Sequence, residues 1–343
     1  MINQDYLQAT IDDMVQDGRG ILAADESEPT IAKRFKAVSV ASTEENRRAY
    51  RSLLLSTPGL GAYISGVILF EETLTQKADD DTLLPALAWG QKIVPGIKVD
   101  KGNIPLALNP GDLITQGLDG LAQRLQIYMG QGQGQGARFA KWREIYAIAE
   151  HVPSASGIVA NAEILARYAA VCQSEGLVPI VEPEVLMDGA HSIERCAEVT
   201  EAVLHAVFDA LRRHHVALEH MLLKPNMVVA GKEKPEVSPE AVAEHTLKVL
   251  RRTVPAAVPS INFLSGGLSP EQATANLNAL NQCGGPTPWQ LSFSYGRALQ
   301  QPVLLAWGGK QENVEASQRV LLKRARLNSL AMRGGYTPEM EKE

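Results

Sequence analysis

Eight short apolar segments recur along the chain, and stretches with helical periodicity separate them. Each segment has the length and the aliphatic or β-branched character of a buried strand. Strands that alternate with helices favour a parallel sheet, and eight of them predict an α/β fold of the (β/α)8 TIM barrel type. The predicted strands cover residues 20–25, 64–70, 93–99, 138–145, 178–185, 221–223, 260–265 and 290–295.

An open doubly wound sheet is the rival arrangement for this order of elements. That fold usually carries a glycine-rich first turn, and the segment that begins at Gly20 contains no G-x-G-x-x-G motif. A chain of 343 residues is long enough for one barrel with insertions. We therefore predict a single barrel domain over residues 1–343, with a short C-terminal extension from about residue 334. The glycine–glutamine repeat at residues 130–136 is expected to be a flexible linker without function.

Charge and hydropathy argue against several classes of partner. The formal net charge is -6 and no block of Lys or Arg occurs, which argues against nucleic acid as the main partner. No apolar run approaches the ~20 residues that cross a bilayer, and the N-terminus lacks the pattern of a signal peptide. The three cysteines are widely spaced and odd in number, which is typical of reduced thiols. A cytoplasmic enzyme without a membrane or nucleic-acid partner is the expectation.

One lysine ends the sixth predicted strand. Lys224 follows an apolar run and precedes Pro225, whose ring biases its predecessor toward extended geometry. Taken alone, such a lysine is more commonly a strand-end residue that extends its charge into solvent. The alternative is an amine nucleophile in a dry pocket, because burial disfavours the charged form of lysine.

The ends of the other strands favour that alternative. In a barrel the C-terminal ends of all strands meet at one rim. Charges inside apolar strands are costly unless they face one another in a shared polar interior. The charged, hydroxyl and glycine residues at these ends are Asp25, Glu26, Ser27, Lys98, Asp100, Lys101, Lys141, Arg143, Glu182, Glu184, Ser265, Gly266, Gly267, Ser294, Tyr295, Gly296 and Arg297.

Such a cluster predicts Schiff-base chemistry on a phosphorylated carbonyl compound. Neighbouring cations and burial would lower the pKa of Lys224, and the carboxylates would supply proton transfer. The segments 265–267 and 294–297 offer backbone N–H groups, hydroxyls and a guanidinium for a phosphate. None of the seven histidines lies at a strand end with metal-ligand spacing, so neither a metal nor a cofactor is expected.

The chain resembles the class I, metal-independent fructose-1,6-bisphosphate aldolases from about residue 18 to residue 338. The segments that carry the resemblance include GILAADES at 20–27, FAKWR at 139–143, PIVEPE at 179–184, LLKPNM at 222–227, FLSGG at 263–267 and FSYGRAL at 293–299. The resemblance implies reversible cleavage of fructose 1,6-bisphosphate to dihydroxyacetone phosphate and glyceraldehyde 3-phosphate in glycolysis and gluconeogenesis. It also implies a homo-oligomer, with a tetramer expected.

Individual roles follow from the same resemblance. It implies that Lys224 forms the imine with the ketose C2, and that Glu182 assists this step with Glu184 close by. Asp25 is implied as the base for the C4 hydroxyl, and Lys141 as its electrostatic support. Ser27 and Lys98 match positions around the second phosphate. The implied substrate-binding residues are Ser27, Thr30, Lys98, Arg143, Ser265, Gly266, Gly267, Ser294, Gly296 and Arg297.

The chain departs from the family pattern in two places. Glu28 and Pro29 follow Ser27, where the family commonly has a small residue and a glycine. Proline removes a backbone N–H donor and glutamate adds negative charge. We therefore predict weaker binding of the second phosphate and relatively better use of monophosphate substrates. The chain also stops at Glu343 without the terminal tyrosine of animal members, and Tyr336 matches an internal tyrosine. Another group is expected to protonate the enamine, unless that step is slow.

Two other interpretations remain open. A transaldolase-type lysine-imine barrel would share Lys224 but should lack the paired phosphate-binding ends. A non-catalytic scaffold could also keep the fold, although the presence of Asp25, Lys141 and Glu182 beside that lysine argues against it.

Overall fold

The computed structural model describes residues 4–130, 136–283 and 285–342. Its strands are β1 Gly20–Ala24, β2 Ile64–Leu69, β3 Val94–Lys98, β4 Asn103–Pro105, β5 Leu113–Thr115, β6 Phe139–Tyr146, β7 Val178–Val185, β8 Leu222–Leu223, β9 Ser260–Phe263 and β10 Gln290–Tyr295. Its α-helices are α1 Gln4–Met14, α2 Glu28–Lys36, α3 Glu44–Leu55, α4 Leu84–Gly90, α5 Leu121–Gly130, α6 Ala155–Glu175, α7 Ile193–Arg213, α8 Pro239–Thr253, α9 Pro270–Cys283, α10 Arg297–Trp307 and α11 Val314–Ala331.

Eight strands close into a parallel barrel in the order β1, β2, β3, β6, β7, β8, β9, β10 and back to β1. The predicted (β/α)8 fold is confirmed, and the open doubly wound sheet is excluded. Strand β8 has only two residues because Pro225, which cannot donate to the ladder, follows closely. The backbone N–H of Lys224 still donates to the backbone oxygen of Val181 at 2.8 Å, which places this lysine at the rim.

The interior of the barrel is apolar below that rim. The side chains of Ile21, Ile68 and Ile180 fill it together with the ring of Phe139. That ring lies against Gly96, where an added Cβ would come within 2.2 Å of it, so only glycine fits there. Helix α1 covers the N-terminal end of the barrel and buries its apolar face against this core. Any reactive site inside the barrel must therefore lie at the opposite, C-terminal end of the strands.

Several elements lie outside the predicted pattern: α2, α4, α10 and the antiparallel hairpin of β4 and β5. Helix α10 contains Pro302, which obscures its helical pattern in the sequence. Of the predicted linker at 130–136, residues 131–135 lie outside the described residues. Among the helices that the structure describes, none combines the length and the apolarity needed to cross a bilayer.

Candidate active site

The C-terminal ends of the barrel strands surround a cavity of about 730 Å³. Strands β6 and β7 each supply two charged side chains, because residues two apart point to the same face. The strands pair so that Arg143 lies opposite Glu182 in the register. The predicted site residues that line the cavity are Asp25, Ser27, Thr30, Lys98, Lys141, Arg143, Glu182, Glu184, Lys224, Ser265, Gly266, Ser294, Gly296 and Arg297.

Lys224 lies at the bottom of this cavity and is almost fully buried, with 3% of its surface exposed. Its Nζ is 3.3 Å from Glu182 Oε1. Burial is the largest influence on this amine and lowers its pKa, and the nearby Lys141 cation acts in the same direction. The carboxylates of Glu182 and Asp25 oppose the shift, but the net pKa of Lys224 remains below the ordinary lysine value.

Lys141 lies between two carboxylates. Its Nζ donates to Asp25 Oδ2 at 2.9 Å and lies 3.0 Å from Glu182 Oε2, the latter without hydrogen-bond geometry. Burial alone would lower the pKa of Lys141, but the charges of Asp25 and Glu182 raise it well above its usual range. For Asp25, burial is outweighed by Lys141 and Lys224, which hold the pKa of its carboxyl well below its usual range. The two lysines therefore differ: Lys141 stays a cation, and Lys224 loses its proton more readily.

Two further ion pairs flank this centre. The Arg143 Nε donates to Glu184 Oε2. On the other side, Lys98 Nζ donates to the backbone oxygen and to Oδ1 of Asp100, both at 2.7 Å. The two cations are thus held at the rim by their own carboxylate partners. Both line the cavity and can reach an anionic ligand.

One edge of the cavity has features that favour an anion. Gly296 precedes α10, and Arg297 is the first residue of that helix. A helix N-terminus presents free N–H groups and a positive dipole end, which favour a phosphate. Gly266 lines the same edge with φ +27°, and a Cβ there would come within 2.6 Å of a Leu264 methyl group. Gly267 lies outside the lining and shapes the turn with φ +98°.

The opposite edge is formed by Ser27 and Thr30, whose hydroxyl oxygens are 3.1 Å apart. Ser27 precedes α2, and Pro29 lies in the first turn of that helix. The Glu28 carboxylate points away, with 69% of its side chain exposed and Oε1 3.6 Å from an Arg47 nitrogen. Neither Glu28 nor Pro29 lines the cavity.

Three residues near Asp25 were not predicted as site residues: Glu26, noted only as a polar strand end, and Arg34 and Gln300, which the sequence analysis missed. Glu26 is buried and accepts hydrogen bonds from Arg34 and, at 2.7 Å, from Gln300 Nε2. All three line the cavity and tie α2 and α10 to the end of β1. The available signal was Ser27 followed by a proline two residues later, a typical helix start. Among the described residues, no group of three or more His, Cys, Asp or Glu side chains could hold a metal ion.

Comparison with known proteins places the chain among aldolases. Residues 6–343 match the sequence family described as fructose-bisphosphate aldolase class-I. Fructose-bisphosphate aldolase 4, cytosolic, of Arabidopsis thaliana is 56% identical over 320 residues, which cover 93% of this chain and 80% of that protein. The cytoplasmic isozyme of Spinacia oleracea is 55% identical over 333 residues, or 97% of this chain and 92% of that protein.

A solved structure gives the same result. Fructose-bisphosphate aldolase from Plasmodium falciparum, in complex with TRAP and a small-molecule inhibitor, superposes with a TM-score of 0.94 at 51% identity. The match covers 97% of this chain and 95% of that chain. The barrel and the loops that surround the cavity therefore follow the architecture of a known enzyme.

Proposed function

Because the chain belongs to the class-I fructose-bisphosphate aldolase family, we propose that Lys224 is the amine that forms a Schiff base with the substrate. The protein is an enzyme of glycolysis that cleaves fructose 1,6-bisphosphate. One observation carries the assignment of Lys224. It is a buried amine with a lowered pKa, 3.3 Å from a carboxylate and beside a second lysine that remains charged.

Imine formation begins with the neutral amine of Lys224. Its lone pair attacks C2 of the open-chain ketose, which gives a carbinolamine. Glu182 is the group we assign to proton transfer, since its Oε1 lies 3.3 Å from the attacking nitrogen. Glu182 holds the proton that the Lys224 ammonium gives up to become neutral, and a second proton passes from the nitrogen to the C2 oxygen as the carbinolamine forms. Return of the held proton to the C2 hydroxyl releases water and leaves the iminium ion. Glu184 is held close by through Arg143 and supports the same step.

Cleavage of the C3–C4 bond then needs a base at the C4 hydroxyl. Asp25 is assigned this role because the adjacent Lys141 keeps its carboxyl ionised. As the proton of the C4 hydroxyl moves to Asp25, the C3–C4 bond electrons flow into the iminium and the aldehyde product leaves. Lys141 also stabilises negative charge that develops on the C4 oxygen. The remaining enamine is protonated at C3 and hydrolysed to release the ketone product.

Protonation of the enamine is assigned to a group other than Tyr336. Its ring is buried and does not line the cavity, and its hydroxyl donates to Glu341 Oε1 at 3.0 Å. This arrangement supports the expectation that a different acid acts at C3.

The two phosphates are assigned to opposite edges of the cavity. Ser265, Gly266, Gly296 and Arg297 are proposed to hold the phosphate on the ketone side, where the N-terminus of α10 adds favourable dipoles. Substrate-binding residues proposed for the other edge and for the sugar hydroxyls are Ser27, Thr30, Lys98, Arg143 and Ser294. Gly267 is proposed to act indirectly, by shaping the turn.

We also propose the domain organisation, the cellular location and the oligomeric state of the protein. The barrel is assigned as one domain over residues 1–343, with a short extension from about residue 334. Relatives named cytosolic or cytoplasmic support a cytoplasmic location. A homo-oligomer, and specifically the tetramer that the resemblance implies, is testable by light scattering coupled to size-exclusion chromatography.

Reductive trapping tests the central assignment. The protein is incubated with fructose 1,6-bisphosphate and borohydride, and the modified peptide is located by mass spectrometry. We expect an adduct on Lys224, its loss in Lys224→Arg, and cleavage that resists EDTA. An adduct on another lysine would overturn the assignment, and an adduct formed only with other sugars would favour a transaldolase-type enzyme. No adduct and no cleavage would favour a non-catalytic scaffold.

A further inference from the structure

Two loop segments pair with each other beside the ketone-side edge of the cavity. One follows β7 and contains Asp188, and the other follows β8 and contains Lys232. The backbone N–H of Lys232 donates to the Met187 oxygen at 2.8 Å. The N–H of Glu233 donates to the Gly189 oxygen at 3.1 Å. These bonds hold the two loops together, and across them Lys232 Nζ donates to Asp188 Oδ1 at 2.8 Å.

The Lys232 side chain lies against the turn that contains Gly266 and Gly267. Gly267 has φ +98°, and a Cβ added there would come within 2.9 Å of Lys232 Cε and 3.5 Å of its Nζ. The absence of a side chain at Gly267 thus leaves room for the lysine. Because Gly266 lines the active-site cavity, the ammonium group of Lys232 lies beside a turn that we assign to phosphate binding.

Asp188 also lies within electrostatic reach of Arg297. The hydrogen bond from Lys232 is the largest influence on the pKa of Asp188 and lowers it, and the charge of Arg297 acts in the same direction. Arg297 is exposed, lines the cavity and begins α10. Within the part of the chain that the structure describes, it forms no ion pair of its own. Its guanidinium is therefore available to a phosphate, because another cation already holds Asp188.

The other carboxylate near this turn is neutralised in the same way. Glu184 Oε1 would lie 3.3 Å from a Cβ added at Gly266, and Oε2 of the same residue accepts from Arg143 Nε. An unpaired carboxylate here would repel a phosphate and attract Arg297 away from it. The ion pair of Asp188 thus bears directly on how well this edge binds an anion.

We propose that Lys232 is a positioning residue for the ketone-side phosphate, because it neutralises Asp188 and thereby leaves Arg297 free to bind that phosphate. This inference rests on the proposed function and on the assignment of this phosphate to the edge at Gly266 and Arg297. Lys232 does not line the cavity, so it acts through Arg297 rather than by touching the substrate. Loss of Lys232 weakens phosphate binding, whereas the chemistry at Lys224 is unaffected.

Steady-state kinetics of Lys232→Met test this role with two substrates. Fructose 1-phosphate carries only the ketone-side phosphate, and fructose 1,6-bisphosphate carries both. We expect KM to rise about threefold to fivefold for both substrates, with kcat changed by less than about twofold, because the ion pair is partly exposed to solvent. The rise should diminish at about 1 M salt, where such charges are screened.

Further variants separate this role from a merely structural one. Asp188→Asn removes the carboxylate that Lys232 neutralises, so adding Lys232→Met to that variant should change KM by less than about twofold. Lys232→Arg keeps the charge and should restore the KM of the wild type. Lys234→Met is the matched control and should leave KM unchanged. Lys234 is an exposed lysine of the same loop, and it forms no ion pair with any residue of the described ranges.

The outcomes distinguish this inference from the proposed function. An unchanged KM in Lys232→Met, a rise that persists in the Asp188→Asn background, or an equal rise in Lys234→Met would overturn the role of Lys232 alone. A rise for the bisphosphate only would also overturn it, because the effect would then lie at the other phosphate. Failure of the wild type to cleave either substrate would instead overturn the proposed function and, with it, this inference.

Discussion

Replacing Pro29 by glycine and Glu28 by threonine tests how strongly the edge at α2 holds the second phosphate of the substrate. The N–H groups of Thr30 and Ile31 both donate to the Ser27 oxygen at 2.9 Å. Pro29 has no N–H at all, so the first turn of α2 has few donors left for an anion. A glycine at position 29 would add one backbone N–H donor.

The size of the effect follows from that single donor. A hydrogen bond to a charged acceptor contributes about 1.5–3 kcal/mol, and we take about 1 kcal/mol for an edge that is open to water. The Glu28 carboxylate is 69% exposed and lies 3.6 Å from Arg47, so its charge should add no more than a few tenths of a kcal/mol. Since about 1.4 kcal/mol corresponds to a factor of ten, the double variant should gain roughly fivefold to tenfold.

The quantity to measure is the ratio of kcat/KM for fructose 1,6-bisphosphate to kcat/KM for fructose 1-phosphate. We expect this ratio to rise in the double variant, mainly through KM for the bisphosphate, and to rise little in Glu28→Thr alone. Pro239→Gly is the matched control, because Pro239 also lies in the first turn of a helix but outside the cavity. An unchanged ratio in the double variant, or an equal change in the control, would refute the reasoning.

Three further predictions concern charge and backbone at or near the site. Lys141→Gln removes a cation that lowers the pKa of Lys224, so the pH at which reductive trapping reaches half its maximal rate should move upward. Burial raises the pKa of Glu144 from 4.5 to about 8, so its contribution to stability is complete below about pH 4.5 and is lost as the pH rises through 8. Between about pH 6 and 9, the free energy of unfolding in urea should therefore fall less in Glu144→Gln than in the wild type, by roughly 3 kcal/mol. Equal falls in the two proteins would contradict this. Gly266→Ala places a Cβ within 2.6 Å of a Leu264 methyl group and should raise KM for fructose 1,6-bisphosphate by about tenfold, whereas an unchanged KM would remove this turn from phosphate binding.

The barrel could be predicted because each of its strands can be recognised from the local sequence alone. Segments such as 64–70 and 178–185 are short and apolar, and they lie between helical stretches. The ends of parallel barrel strands meet at one rim, so residues as distant as Asp25 and Arg297 could be brought together by topology alone. The same argument could not predict α2 and α10, which carry Arg34 and Gln300 into the cavity. The pattern of α10 is interrupted by Pro302, and α2 has only 9 residues, which is too short for a clear helical period.

By itself, the sequence determined the (β/α)8 fold, the candidate nucleophile Lys224 and the set of polar strand ends around it. Only the tertiary structure decided which lysine loses its proton more readily, because Lys141 bridges Asp25 and Glu182 while Lys224 is buried near a single carboxylate oxygen. It also decided that Glu28 turns away from the cavity toward Arg47. The physical reason is that the apolar periodicity that predicts strands and helices is a property of the local sequence. Burial and ion-pair distances, in contrast, depend on which distant side chains the closed barrel brings within a few ångströms.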